Sequence, residues 1–239
     1  MIQVWLPLDG SVVNKGLSPT TFKTETATVS NDGVDGKCYS FTATTGNGIY
    51  MYGSSVADFM NTYINHHSWT LCGWVNTTSS VSTPLLSLTY GLRLNAGPAN
   101  SSFISLYNST RTITCYGVKA VNDGQWHHIA GTYNVDTNEI RMYIDGVLEG
   151  TKQYTDGETY ASSWSNIIAV GRNPNNSTAN NSYFFNGKAC DVRIYDNALM
   201  PNEIAELYSR TRTRGLQIWM KPTPDYKREL YTCLPQRIA

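Results

Sequence analysis

The sequence is short of most features that betray a chemistry directly. Charge is scarce, at 15% of residues, and balanced at 18 Lys/Arg against 18 Asp/Glu, so no global field draws the chain to nucleic acid or to an anionic membrane. No apolar run approaches the ~20 residues that a membrane-spanning helix needs. The opening MIQVWLPLDG carries neither a basic leader nor an apolar targeting segment, which leads to the expectation of cytoplasmic synthesis without a signal peptide. The five cysteines, Cys38, Cys72, Cys115, Cys190 and Cys233, are odd in number and widely spaced. They read as reduced, small core hydrophobes rather than a disulfide framework or a zinc site.

Catalytic signatures are missing as well. There is no G-x-G-x-x-G, no phosphate-binding loop and no G-x-S-x-G elbow. Glycoside hydrolysis needs two carboxylates across a cleft. The nearest acidic clusters, Asp32/Asp35 and Asp156/Glu158, lie in glycine-containing turns and read as solvent-facing. The four histidines form two adjacent pairs, His66-His67 and His127-His128. Neighbours on a strand point to opposite faces, and no acidic or cysteine ligand stands at a helpful spacing, so a metal site is not expected.

What is there is a succession of strands. Gln125–Gly150 reads as an antiparallel meander: two runs rich in Ile, Thr and Tyr, a polar connection at 134–138, then a tight Asp145-Gly146 reversal. Ser68–Asn76 alternates most clearly. Trp69, Leu71, Gly73 and Val75 share one face, and Thr70, Cys72, Trp74 and Asn76 the other. Aromatics on both faces imply either that the chain packs something over the outer face or that Trp74 lies in a groove. Short strands are expected at 3–8, 24–29, 38–41, 49–52, 85–88, 90–94, 103–107, 112–116, 167–170 and 189–195, about a dozen in all. Ser55–Tyr63 fits one or two helical turns capped by Ser54 or Ser55, and Pro201–Ser209 fits a helix with a stripe at Ile204, Leu207 and Tyr208. Met200 is an unusual cap for it.

Several segments together carry a resemblance. The central W-H-H-I-A-G-T-Y, polar turn, R-M-Y-I-D-G-V-L is similar to the laminin-G-like branch of the concanavalin-A-like lectin/glucanase superfamily. Asn186–Leu199 with Glu203–Tyr208 resembles its closing motif, and Leu6–Gly10 with Gly33–Phe41 its opening strands. The match covers roughly residues 1–210, in order. It implies an all-β fold, a two-sheet antiparallel jelly-roll sandwich (concanavalin-A-like/laminin-G-like) with one short C-terminal helix. The E-x-D-x-x-E strand motif of the family's active glucanases is absent here, so a non-enzymatic protein is expected. The resemblance also raises a bound Ca²⁺ at the sheet rim; Asp32, Asp35, Asp123, Asp136 and Asp156 all sit in turns, and no ligand set is assigned.

Residues 211–239 lie beyond the resemblance. They hold 6 Lys/Arg against 2 Asp/Glu, net +4, whereas residues 1–210 are net −4. Leu216–Met220 reads as a strand, and Pro222 and Pro224 impose an extended stretch after it. The segment is either a strand paired near the N-terminus or an assembly arm laid on another subunit, with Trp219, Tyr226 and Tyr231 as its anchors. Two functions follow. One is a structural or adhesive surface protein that contacts other subunits of an assembly, such as a virion decoration or tail component at the virion surface, by resemblance to domains of tailed-phage virions. The other is a carbohydrate-binding module for host or matrix glycans, for which Trp74, Tyr90, Tyr107, Tyr116, Tyr154 and Trp164 are the aromatic platforms to search.

Overall fold

The structure, a computed structural model, describes residues 1–43, 47–89, 91–107, 112–153, 167–173 and 184–219, with 211–219 described by their backbone alone. In chain order, β1 (Ile2–Leu6), β2 (Lys23–Glu25), β3 (Thr28–Gly33), β4 (Gly36–Phe41) and β5 (Gly48–Tyr52) precede α1 (Ser54–Tyr63). Then come β6 (Trp69–Asn76), β7 (Thr83–Leu88), β8 (Leu92–Ala96), β9 (Ser102–Tyr107), β10 (Thr112–Gly117), β11 (His127–Asn134), β12 (Glu139–Ile144) and β13 (Val147–Gln153). β14 (Ile167–Val170), β15 (Gly187–Tyr195) and α2 (Pro201–Trp219) complete the described chain.

The strands pair antiparallel into two sheets. The first has eight strands, in the order β13-β12-β11-β6-β15-β4-β3, with β1 also paired to β15; the second has seven, in the order β10-β9-β8-β7-β14-β5-β2. This is the two-sheet jelly-roll sandwich that the sequence implies, with fifteen strands among the described residues instead of about a dozen. Alternation explains the core. Trp69, Leu71 and Val75 of β6 turn inward, and Trp69 meets Tyr133 of β11 with ring centroids 5.7 Å apart. Gly131 lets the sheets approach: a Cβ there would come within 2.8 Å of Ile104 on the opposite sheet. That contact is closer than packed atoms tolerate, so the interdigitation of the two sheets depends on the missing side chain.

The outer face of the eight-stranded sheet is covered by α2. Ile204 is fully buried against Cys72, Ala130 and Tyr143. Tyr208 stacks on Trp74 at 5.5 Å, and His128 meets the same indole edge-on at 5.4 Å. Trp74 is 2% exposed. Of the two readings of this residue, the packed one holds.

Two expectations about helices need correction. The helical turns expected at Ser55–Tyr63 are present as α1, about three turns long where one or two are read, and the C-terminal helix, short by the sequence, runs for 19 residues. The backbone is therefore helical through 211–219, where a strand at Leu216–Met220 is read from the sequence. A short apolar run does not by itself separate helix from strand, and the Arg, Leu and Gln residues before Pro222 are good helix formers. Met200 is also a better helix start than its side chain suggests. Its backbone N–H donates to the Glu203 carboxylate at 2.7 Å, half of a capping box.

Candidate functional site

A broad concavity lies on the second sheet, at the edge formed by β5 and β2. Alternation along β5 buries Ile49 and Met51 in the core and sends Tyr50 and Tyr52 to the outer face. Gly53 then turns the chain straight from strand into helix at φ 105° and ψ −167°, a region open essentially to glycine alone. α1 rises beside the strand it follows. Val56, Phe59 and Met60 pin it down, so Ser55, Asp58, Thr62 and Tyr63 fall on the groove side. The remaining wall is the segment 18–21 with Lys23 of β2. Asn14 holds that segment in place. Its carbonyl oxygen accepts the N–H groups of Trp5 and Gly16, each at 2.8 Å, and its amide donates to Ser18 O at 2.8 Å and Thr20 Oγ1 at 3.0 Å.

The groove so formed has a volume of about 680 Å³. Its floor is the pair Tyr50 and Tyr52, with ring centroids 5.8 Å apart and planes inclined by 37°. Tyr52 is 58% exposed. Tyr63 is half-buried in the helix wall and packs on Phe59 at 5.1 Å. Lys23 Nζ lies 5.8 Å from the Tyr52 ring centre, and the Arg172 guanidinium 5.8 Å from that of Tyr50. Arg172 is tied to Glu25 at 3.1 Å. Flat aromatic faces, hydroxyls from Ser and Thr, and one carboxylate surround an open space. Such a surface can stack an apolar ring face and satisfy hydroxyls around its edge.

Of the aromatic platforms read from the sequence, Trp74 is closed off beneath α2 and Tyr107 is half-buried at the end of β9. Tyr116 is 53% exposed on β10, packed edge-on against Phe103 at 5.7 Å. The structure does not bring these three together. Tyr90, Tyr154 and Trp164 lie outside the described residues, as do Tyr226 and Tyr231 of the tail; Trp219 is described by its backbone only, as the last residue of α2. Tyr50, Tyr52 and Tyr63 were not singled out in the sequence. The signal was present in the Ile49-Tyr-Met-Tyr52 alternation, which sets two tyrosines on the face opposite two core residues.

Among the described turn aspartates, Asp32 and Asp123 are engaged by different partners. Asp32 is ion-paired with Lys188 and accepts from Ser30 Oγ, and these partners, the lysine first, hold its carboxyl down at about 2. Asp123 instead contacts His127 Nε2 at 3.0 Å. Asp156 lies outside the described residues. Among the described residues, no three His, Cys, Asp or Glu side chains converge to hold a metal ion.

The adjacent histidines diverge as strand geometry requires. His127 is clamped between Asp145, 2.8 Å from Nδ1, and Asp123. The Asp145 contact, opposed by burial and helped by Asp123, raises its pKa. For Asp145, burial pushes the other way, but hydrogen bonds from His127, Lys119 and the His128 N–H bring it down to about 2. His128 lies beneath α2 with Nδ1 unpartnered, and burial lowers its pKa to about 4.

Residues 52–205 match the family profile of the concanavalin A-like lectin/glucanases superfamily. Among solved structures, the binding domain of Paraclostridial Mosquitocidal Protein 1 superposes with a TM-score of 0.69 at 13% identity, covering 87% of this chain and 52% of that one. A botulinum neurotoxin type C structure, titled for cell entry dependent upon interaction with two ganglioside molecules, gives 0.67 at 13% identity over 88% and 51%. Domain 4 of AbnA, a GH43 extracellular arabinanase from Geobacillus stearothermophilus, in complex with arabinotriose, gives 0.62 at 17% identity over 87% and 98%. The chain thus spans about half the length of the two toxin chains and nearly all of the arabinanase domain. At these identities the likeness is one of fold.

Proposed function

We propose that the chain, which belongs to the concanavalin A-like lectin/glucanases superfamily, is a non-enzymatic binding domain that takes carbohydrate in the groove between β5, β2 and α1. The observation that carries this reading is the open floor of Tyr50 and Tyr52, walled by Ser, Thr, Lys and Asp side chains. A sugar presents a C–H face to stack on a ring and a rim of hydroxyls to pair with polar groups, and the groove offers both. Shared fold with a domain solved with arabinotriose, and with toxin binding domains, adds support. Tyr52→Ala is the direct test, because so exposed a side chain can be removed without unfolding the sheet. A glycan identified by array should bind the variant roughly two- to tenfold more weakly in calorimetry. Undiminished binding, or no glycan bound by the unaltered chain, would sink the reading.

A second reading, adhesive contact with protein, has its own observation. The last α2 residue seen packed on the sandwich is Tyr208, yet the helix continues to Trp219. The face of α2 turned away from the sheet, with Ala205, Glu206, Ser209 and Arg210 exposed, is suited to a neighbouring surface. On this reading the partner is another subunit of an assembly, a virion surface in the form suggested by the tailed-phage resemblance. The two readings are compatible, since a particle-bound domain can also hold sugar.

A further inference from the structure

Lys23 and Asp58 face the same groove from different elements, β2 and α1, and neither is ion-paired among the described residues. Charges elsewhere in the molecule pair readily, as in Lys15–Asp9, Lys119–Asp145 and Arg172–Glu25. The Lys23 ammonium instead lies 5.8 Å from the Tyr52 ring centre, with no carboxylate in ion-pairing reach among the described residues. At Asp58 only the backbone oxygen is engaged, by Thr62 Oγ1 at 2.7 Å. The tyrosine floor is therefore flanked by a cation on the strand wall and an anion on the helix wall that do not neutralise each other.

That arrangement discriminates between classes of sugar. A neutral sugar can hydrogen-bond to either wall but brings no opposite charge to it. A purely acidic sugar gains at Lys23 and is repelled by Asp58, and a purely basic sugar meets the reverse. Only a ligand with both charges, separated across its ring, gains at both walls. Tyr63, on the same wall as Asp58, adds the attraction of an aromatic face for an ammonium group.

We propose, building on the carbohydrate reading above, that the groove selects zwitterionic saccharides, with a carboxylate toward Lys23 and an ammonium toward Asp58. The ligand class is an amino-uronic acid or its equivalent, in which amine and carboxylate stand on opposite sides of one pyranose.

Four methyl glycosides of matched stereochemistry test it: glucoside (neither charge), glucosaminide (ammonium), glucuronide (carboxylate) and glucosaminuronide (both). Each is titrated by NMR into the full chain at mildly acidic pH and low salt. Exposed single charges are each worth only a few-fold, so the zwitterion should bind on the order of tenfold tighter than the neutral sugar. The advantage should shrink as salt shortens the screening length to about 8 Å at physiological strength. Lys23→Gln should abolish the gain from the carboxylate and Asp58→Asn the gain from the ammonium, each read as the ratio of charged-sugar to neutral-sugar affinity within the same variant. Both side chains are solvent-exposed, so the variants keep the fold, and a circular dichroism melt checks it. Equal binding of all four sugars, or a zwitterion advantage that survives both substitutions, overturns this inference and leaves the carbohydrate reading standing. Binding of none of them, together with a blank glycan array, removes the carbohydrate reading and the inference with it.

Discussion

His127 and His128 are neighbours in sequence with opposite electrostatic fates. His127 is raised by Asp145 and Asp123, so the unfolded chain releases its proton near the ordinary value of about 6.5 while the folded chain holds it longer. The stability it contributes is fully present below that pH and is lost as pH rises through its folded pKa. Asp145 is depressed to about 2, so its contribution is present above the ordinary value of about 4 and is lost as pH falls through about 2. His128, lowered to about 4, works against folding in acid, because below about 6.5 the unfolded chain takes up a proton that the buried ring refuses. Replacing it by a ring that cannot titrate separates these effects. His128→Phe should raise stability in urea titrations more at about pH 5 than at about pH 8. An equal change at both would mean that the buried ring is not held neutral. The sequence shows that the two rings diverge, from the period of a strand. It does not show which one meets carboxylates, because Asp145 arrives from the next hairpin and Asp123 from the loop before.

At the scale of elements, α2 decides what Trp74 is. The alternation of Ser68–Asn76 is plain in the sequence, and so is the apolar stripe of Ile204, Leu207 and Tyr208; that the second covers the first is a tertiary fact, joining residues more than 120 apart. Ile204→Ala should cost about 2–5 kcal/mol in urea denaturation and red-shift the tryptophan emission as water reaches the indole. Little loss of stability and an unshifted spectrum would mean that the helix is not the cover. The groove was harder to read for the same reason. The β5 strand and the helical turns after it are both legible, but their conjunction rests on Gly53, and the third wall rests on Asn14 gathering a loop back toward β5. The aromatics that stand out in the sequence are Trp74, Trp164 and four tyrosines, and of these Trp74 is a packing residue beneath α2. The tyrosines that line the groove lie opposite core side chains on a short strand, with no local mark to separate them from other surface residues.

For the whole molecule, the two-sheet sandwich and the antiparallel run of β11, β12 and β13 were legible, from strand-forming runs bounded by turns that carry Gly, Asn and Asp and from the family resemblance; the order of the remaining strands was not. The tail was not, since 211–219 supports helix and strand about equally on local grounds and resolves as helix. If the segment after Arg210 serves assembly, light scattering should find the full chain in a defined oligomer and a chain ending at Arg210 as a folded monomer. Two monomers of equal stability would remove self-association from the second reading. Pro201–Arg210 retains Ile204, Leu207 and Tyr208, so the shortened chain keeps its cover over Trp74.

β15 has a further consequence. It pairs with β6 through Ile194 and Leu71, with β4 through Ala189 and Tyr39, and with β1 through Ile194 and Val4. Three strands made early in synthesis thus share one partner made late. At roughly 5–20 residues per second, translation takes about 10–40 s to carry the chain from β1 to β15. For that interval the growing polypeptide holds β1, the β3–β4 hairpin and β6 without the strand that joins them. The first sheet therefore closes only when its joining strand, the last to be written, arrives, and until then the edges of β4 and β6 that it will pair stay open to other chains.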